Sequence, residues 1–259
     1  MSQQIDHIEN QKQASEGVFS KGSRAHVLSG DPLVRYLTRW RLEQSVWRLS
    51  RHLGERFSWD WDVLVLCAGE GYEGSILCDL GFHRVTVSDL SENGVKAALA
   101  RDPRLQGQSA DAENLPFSDQ SFGLVVIQDG LHHLSRPTQG FTEMLRVAEH
   151  AVFFLEPHDS MVGNRVGTRW EKNNGAINYV FRWKRKLVQD IASSYFGHDQ
   201  FDNLSLAFWH HNIVLERVGH RLGGGGGALR ILKVAKGFMD TLFGRWGNQF
   251  CGMVVRHEP

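Results

Sequence analysis

A glycine-rich turn followed by a carboxylate is the part of this sequence with the clearest chemical meaning. Residues 69–74 read Gly-Glu-Gly-Tyr-Glu-Gly, which is the spacing G-x-G-x-x-G, and Asp89 lies about twenty residues after Gly69. Glycines let the main chain approach a ligand closely, and a carboxylate at a strand end can accept both hydroxyl groups of a ribose. The pattern predicts a crevice that binds a nucleoside, either in a dinucleotide or in another adenosine-containing cofactor.

Three histidines are the candidates for acid–base chemistry. His132 and His133 follow one predicted strand, and His158 follows the next strand after a Glu-Pro ending. A neutral imidazole can accept the proton of an alcohol or phenol near pH 7. We therefore expect His133, His158 or His132 to be a general base, with packing against the sheet as the alternative role. No two histidines have the i, i+4 spacing of metal ligands on a helix, so no metal site is expected.

Alternating strands and helices would bring these residues together. Short apolar runs predict strands at 63–67, 84–88, 105–109, 122–128 and 151–155, with helical segments between them. Such alternation predicts right-handed βαβ units, and ligands then bind at the carboxyl ends of the strands. The predicted fold class is α/β, a Rossmann-like, doubly wound and mostly parallel sheet with N-terminal helices and a helical lid insertion.

Several ordered motifs between about residues 61 and 157 resemble those of class I S-adenosylmethionine-dependent methyltransferases, especially enzymes acting on small molecules and lipid precursors. These are VLVLCAGEG at 63–71, VTVSDLSENGV at 85–95, SADAENLPFSDQSFGLVVIQDGLHHL at 109–134 and LRVAEHAVFFLEP at 145–157. The resemblance implies transfer of a methyl group from S-adenosylmethionine to O or N of a small-molecule or lipid-linked acceptor. The cofactor-binding residues that it implies are Ala68, Gly69, Glu70, Gly71, Asp89, Leu90, Asp111 and Ala112. Asp89 would bind the ribose, and Asp111 the adenine amino group.

The first motif departs from the family pattern at two positions. Val65 stands where an acidic residue is common, and Cys67 where the family often has glycine. The amino group of the methionine moiety would then be held by main-chain carbonyl groups of the turn or by Gln128. Two other interpretations stay open: an NAD(P)-dependent oxidoreductase that uses the G-x-G-x-x-G turn, and a non-catalytic subunit that binds S-adenosylmethionine.

The chain divides into four predicted segments. These are an N-terminal flap with helices (1–54), the cofactor-binding core (55–157), a mostly helical substrate lid (158–243) and a final strand of the core sheet (244–259). Aromatic residues concentrate in 158–215, which favours a hydrophobic or ring-containing acceptor, and the adjacent His210 and His211 are weaker candidates for contact with it. The five consecutive glycines at 223–227 predict a flexible hinge, with an anion-binding nest as the alternative.

The composition excludes several classes of protein. The 259 residues include 29 basic and 29 acidic side chains, so the formal net charge is zero. A neutral protein lacks the overall positive charge that is typical of nucleic-acid binding. Three scattered cysteines do not make a disulfide framework, and no apolar run is long enough to span a bilayer, so we expect a cytoplasmic protein. Basic side chains at 182–186 and 228–243 are expected to be solvated; the alternatives are contact with an anionic or lipid-like substrate, peripheral contact with a membrane surface, or RNA. The oligomeric state is not predicted.

Overall fold

A mostly parallel sheet forms the centre of the molecule. The computed structural model describes residues 9–13, 16, 32–173, 176–209 and 226–257, and we number the elements from Pro32 onward. The strands are β1 (Asp62–Leu66), β2 (Arg84–Asp89), β3 (Leu105–Ser109), β4 (Phe122–Gln128), β5 (Ala148–Pro157), β6 (Trp170–Asn173), β7 (Ala176–Tyr179), β8 (Phe201–Phe208) and β9 (Gln249–Arg256).

The order of the strands creates a crevice at one edge of this sheet. In the described part of the chain the seven strands run in the order β3-β2-β1-β4-β5-β9-β8. The first five are parallel, whereas β9 is antiparallel to both β5 and β8. The chain winds outward in one direction from β1 to β3 and then in the other from β4, so the switch point lies between β1 and β4. The prediction of a Rossmann-like, mostly parallel sheet is confirmed.

Helices cover both faces of the sheet. They are α1 (Pro32–Leu53), α2 (Tyr72–Leu80), α3 (Glu92–Arg101), α4 (Pro137–Val147), α5 (Met161–Val166), α6 (Arg185–Phe196) and α7 (Gly226–Phe243). The Ser91 hydroxyl accepts the Gly94 N–H and so caps α3, as its position before the apolar pattern indicates. None of the described helices combines the length and apolarity that crossing a bilayer would take.

After the exposed Asp62, the strand β1 is apolar from Val63 to Leu66 because both of its faces are buried there. Val63 and Val65 pack into one core with side chains from α1 to α3, whereas Leu64 and Leu66 pack into a second core against α4 and α6. Burial on both faces is the physical reason for the continuous apolar run in a parallel strand. The two cores hold the strand ends in fixed positions, which is what a binding site at that edge needs.

The mostly helical prediction for 158–243 is wrong for part of this segment. Residues 170–173 and 176–179 form a separate antiparallel hairpin, and Phe201–Phe208 is the edge strand β8 of the main sheet. The pattern was hidden because β8 is only partly buried and carries polar side chains such as Asn203. The predicted last strand is confirmed as β9, whereas the division into four segments remains a prediction.

Several predicted features lie outside the described residues. They are residues 1–8, 14–15 and 17–31 of the N-terminal segment, the first three of the five glycines, and His210 with His211. The last two of those glycines open α7.

Candidate cofactor and acceptor site

The glycine turn connects β1 to α2 through a left-handed backbone. Cys67, Gly69 and Gly71 have φ values of +50°, +49° and +72°. A Cβ atom on Gly71 would lie 2.6 Å from the Cβ of Ala98, so only glycine allows α3 to pack this closely. Cys67 adopts a conformation that glycine adopts without strain, which explains why the family often has glycine there. Burial and nearby carboxylates raise the pKa of the Cys67 thiol well above its ordinary value, so this thiol is not a nucleophile.

The Asp89 carboxylate fixes the turn against the end of β2. Its Oδ2 accepts the Gly69 N–H at 2.8 Å and its Oδ1 accepts the Ser91 N–H at 2.9 Å. Burial raises the pKa of Asp89, although these hydrogen bonds oppose that effect. Each carboxylate oxygen has a second lone pair, so Asp89 can bind the hydroxyl groups of a ribose and still hold the turn.

Asp111 lies beside Asp89 at the same edge. Asp89 is paired in register with Ser109 at the end of β3, and the Ala110 N–H donates to the Asp89 carbonyl at 3.1 Å. The Asp111 carboxylate accepts the Glu113 N–H at 2.9 Å, which closes a tight turn. Ala112 is buried next to it and Leu90 is partly buried. Hence the structure places the residues predicted for the ribose and the adenine side by side.

Gln128 ends β4 in a buried position on the other side of β1. Among the described residues, its side-chain oxygen Oε1 has no hydrogen-bond partner. A buried amide oxygen without a partner costs about 1–3 kcal/mol, so a ligand that donates a hydrogen bond would be bound favourably there. The ammonium group of a methionine moiety is such a donor, and the residues at this edge therefore fit the predicted cofactor.

Sequence reasoning missed two charged residues near this crevice. Arg41 of α1 is fully buried and donates to both carboxylate oxygens of Asp129, at 2.7 and 3.3 Å. The signal in the sequence that could have indicated Arg41 is its position in the i, i+4 series from Leu37 to Leu49 of α1, which is buried. Burial also raises the pKa of Glu73 to about 7, and the negative charge of Asp129 adds to this shift.

Glu156 organises the turn that follows β4. It is fully buried at the end of β5, and its Oε1 accepts the N–H groups of Gly130 and Leu131, both at 2.7 Å. Its Oε2 lies 2.6 Å from His132 Nδ1. Burial lowers the pKa of His132, but attraction to Glu156 and a contact with Glu171 outweigh it and raise the value to about 10. His132 is thus charged near pH 7, which does not suit a general base.

His133 and His158 have different surroundings. His133 is 30 % exposed, and its Nδ1 lies 3.2 Å from the Asn178 side-chain nitrogen and 3.8 Å from Glu171 Oε2. His158 stacks against Phe250 of β9, and its Nδ1 donates to the carbonyl of Gly247, just before that strand, at 2.8 Å. Burial lowers the pKa of His158, so its imidazole is neutral near pH 7. The structure therefore brings His132 and His133 together and holds His158 against a different element.

The β6–β7 hairpin closes over the turn at 131–133. Glu171 and Asn178 face the two histidines, whereas Trp170, Ile177 and Tyr179 on the opposite face are 60, 55 and 58 % exposed. The alternation along each strand explains this division into a polar and an apolar face.

The topology and the strand-end residues together define a Rossmann-like domain with a nucleoside crevice. Within that class, residues 64–155 match the family described as a methyltransferase domain. This segment contains most of β1, all of β2 to β4 and most of β5, and the carboxyl ends of these strands form the crevice. We conclude that it is a class I methyltransferase domain, the class whose cofactor is S-adenosylmethionine.

Curated relatives match the same part of the chain. The demethylmenaquinone methyltransferase of Beutenbergia cavernae is 35 % identical over 131 residues, which are 51 % of this chain and 52 % of the relative. That of Clavibacter sepedonicus is 40 % identical over 88 residues, 33 % of this chain and 36 % of the relative. The chain thus matches about half the length, or less, of these curated relatives.

Solved structures agree with the fold. An S-adenosylmethionine-dependent methyltransferase from Thermotoga maritima has a TM-score of 0.59 at 13 % identity, covering 95 % of this chain and all of that one. Magnesium protoporphyrin IX methyltransferase from Synechocystis, with bound S-adenosylhomocysteine, has a TM-score of 0.54 at 12 % identity, covering 85 % and 84 %. At such identities the likeness concerns the fold alone.

Proposed function

We propose that the protein transfers a methyl group from S-adenosylmethionine to a small-molecule acceptor. The observation that carries this proposal is the methyltransferase-domain match, because it covers the strands whose ends form the crevice. When bound, the cofactor supplies a methyl group on a sulfonium, which leaves readily. The protein then has to orient the two reactants and exclude water.

The roles of the residues follow from their positions. Asp89 would accept the ribose hydroxyl groups while it holds Gly69, and Asp111 would accept from the adenine amino group. Ala68 and the 69–71 main chain would approach the methionine moiety. The buried Gln128 Oε1 would accept from its ammonium group, which compensates for the absence of an acidic side chain at Val65.

We further propose that the acceptor carries an apolar ring, as a quinone or quinol does, and a lipid tail. The names of the curated relatives support a quinone-type acceptor. Support also comes from the exposed aromatic face of the β6–β7 hairpin, whose opposite, polar face contacts the turn at 131–133. A second exposed apolar series, Val234, Phe238 and Leu242 of α7, would suit contact with the membrane in which such an acceptor dissolves.

His133 and His158 are the proposed proton acceptors if the acceptor is a hydroxyl or an amine. His132 is assigned instead to positioning, because Glu156 holds it as a cation. A pH profile separates the first two. If the histidine that acts as the base is replaced by alanine, the fall of kcat at acidic pH should disappear from the pH profile. Replacement of the other histidine should leave that fall in place.

The proposal is tested by incubating the purified full chain with deuteromethyl-labelled S-adenosylmethionine and a short-chain demethylated naphthoquinol. Mass spectrometry should show one labelled methyl group in the quinol. S-adenosylhomocysteine binding without label transfer to any quinol or phenol would support the non-catalytic alternative. Protection from thermal unfolding by NAD(H), but not by S-adenosylhomocysteine, would support the oxidoreductase.

The acceptor class is tested with Trp170→Ala. We expect KM for the quinol to rise several-fold while Kd for S-adenosylhomocysteine stays unchanged. Trp47→Ala, which removes a 54 % exposed tryptophan of α1, is the matched control and should change neither value. An equal rise in both constants for Trp170→Ala would contradict a role in acceptor binding.

A further inference from the structure

Two imidazoles and a carboxylate converge beside the end of β4. His132 Nε2 lies 3.4 Å from Glu171 Oε2, and His133 Nδ1 lies 3.8 Å from the same oxygen. One ligand atom from each of the three side chains lies within 4.8 Å of the others. Ligands bound at about 2.1 Å to one tetrahedral metal ion are separated by about 3.4 Å, so small side-chain rotations would bring all three onto a single ion.

The surroundings of His132 match those of a metal ligand. The fully buried Glu156 accepts the Nδ1–H of His132 at 2.6 Å, which directs Nε2 toward Glu171. Metal-binding histidines almost always donate their second N–H to a carboxylate or carbonyl in this way, which fixes the tautomer and makes the ligand more basic. Glu156 would therefore be the residue that orients His132.

The local charge also favours a cation. Glu156 and Glu171 both contact His132, so two carboxylates lie beside one imidazole ring. A divalent ion on His132 Nε2 would balance the charge of both carboxylates. His133 would contribute its Nδ1, from a side chain that is already partly exposed.

We propose that His132, His133 and Glu171 bind one divalent transition-metal ion. Two imidazole nitrogens and one carboxylate oxygen suit manganese, iron, cobalt, nickel and zinc, and they discriminate against calcium, which prefers oxygen ligands. Three protein ligands leave positions open on the ion. This chemistry rests on the proposed function: an acceptor oxygen bound to the ion would release its proton to solvent more readily and would become a better nucleophile, and His133 would then be a ligand and not the base.

This proposal differs from the expectation from the sequence, which is that there is no metal site. Spacing along a helix does not indicate this group of residues, because His132 and His133 are adjacent on a 3₁₀ turn and Glu171 comes from the hairpin. The hairpin thus supplies the third ligand atom to the two histidines of the turn.

Cobalt binding tests the proposal directly. We would remove metals from the untagged full chain with a chelator, titrate it with Co²⁺, and follow the visible absorption of the bound ion. The expected result is saturation at one Co²⁺ per chain. Glu171→Gln and His133→Ala should each weaken binding by about tenfold or more, because each variant removes a proposed ligand.

A second histidine–carboxylate group supplies the matched control. Asp202 contacts His52 at 2.8 Å and His257 at 3.2 Å. Asp202→Asn should leave Co²⁺ affinity unchanged. The proposal is overturned if wild-type protein shows no saturable Co²⁺ spectrum, or if Asp202→Asn loses the spectrum while Glu171→Gln keeps it.

Two further measurements separate this proposal from misfolding and from the proposed function. Glu171→Gln and His133→Ala should keep the wild-type thermal midpoint and S-adenosylhomocysteine affinity, since both side chains are partly exposed and lie outside the cofactor contacts. Absence of Co²⁺ binding together with intact methyl transfer would reject the metal site alone. Co²⁺ binding without S-adenosylhomocysteine binding would reject the methyltransferase proposal alone.

Discussion

At the ends of β1, β2 and β3 the main chain makes most of the site, whereas at the ends of β4 and β5 side chains from distant elements meet. On the first side, Asp89 binds the N–H groups of Gly69 and Ser91, and a left-handed turn sets the distance to α3. On the second side, Glu156 binds the turn at 131–133, and Glu171 arrives from a separate hairpin. The first side depends on backbone conformation, and the second depends on pairing of charges.

This difference has a physical basis in what each side would bind. A nucleoside has a fixed set of hydroxyl and amino groups, which peptide N–H groups and two carboxylates can satisfy. An acceptor is bound by whichever side chains the surrounding elements present. We therefore expect backbone changes to damage the cofactor side and charge changes to damage the acceptor side.

The largest effect is expected from Glu156→Ala. This change leaves three peptide N–H groups and the buried His132 without their carboxylate, so the free energy of unfolding should fall by about 3–5 kcal/mol. Urea unfolding measures it. Glu149→Ala, at the start of the same strand with a 53 % exposed side chain, should change the value by less than about 0.5 kcal/mol. A loss below about 1 kcal/mol for Glu156→Ala would show that charge pairing does not hold the acceptor side together.

A smaller effect is expected from Cys67→Val. A β-branched residue at φ +50° is strained, and Gly130 packs so closely that a Cβ there would lie 2.6 Å from the Cys67 Cβ. We expect a loss of about 2 kcal/mol in unfolding free energy. Cys67→Gly, which suits this backbone, should change stability by less than about 1 kcal/mol. Equal losses for the two variants would mean that backbone conformation is not what limits the residue at this position.

Glu73 gives a pH test at the boundary between the two sides. Its pKa is raised by burial from 4.5 to about 7, so the folded state keeps a proton that the unfolded chain releases. The resulting stabilisation is fully present below pH 4.5 and is lost as the pH rises through 7. Relative to Glu73→Gln, the wild type should lose about 1–2 kcal/mol across this range, since the side chain is only partly buried.

Chemical unfolding at several pH values measures this difference. Glu70→Gln changes a glutamate of the same turn that pairs with Arg101, and it serves as the control. It should show the same decline as the wild type. A Glu73→Gln variant that follows the wild-type curve would place the titrating group elsewhere.

The sequence predicts those features of the structure that depend on residues close to one another in the chain. The strands β1 to β5, the glycine turn and Asp89 follow from short patterns, because apolar runs, turn residues and strand ends are neighbours in the chain. The cap of α3 at Ser91 is equally local. These features make up the sheet and the cofactor side.

The remaining features depend on contacts between distant residues. Arg41 and Asp129 pair across 88 positions, and Glu171 reaches the histidines only because a hairpin folds over them. The edge strand β8 is weakly patterned since, among the residues that the structure describes, one of its sides has no neighbouring strand. Such pairings leave no short-range periodicity in the sequence, so the contacts of the acceptor side could not be predicted from it.

Calorimetric titration with S-adenosylhomocysteine tests the central claim most directly. The wild type should bind one molecule per chain. Asp89→Asn should weaken binding by about tenfold or more, because an amide nitrogen cannot accept a hydroxyl proton. Asp62→Asn, which changes an exposed aspartate at the opposite end of β1, should bind as the wild type does. No binding to the wild type, or equal affinities for Asp89→Asn and Asp62→Asn, would contradict the claim.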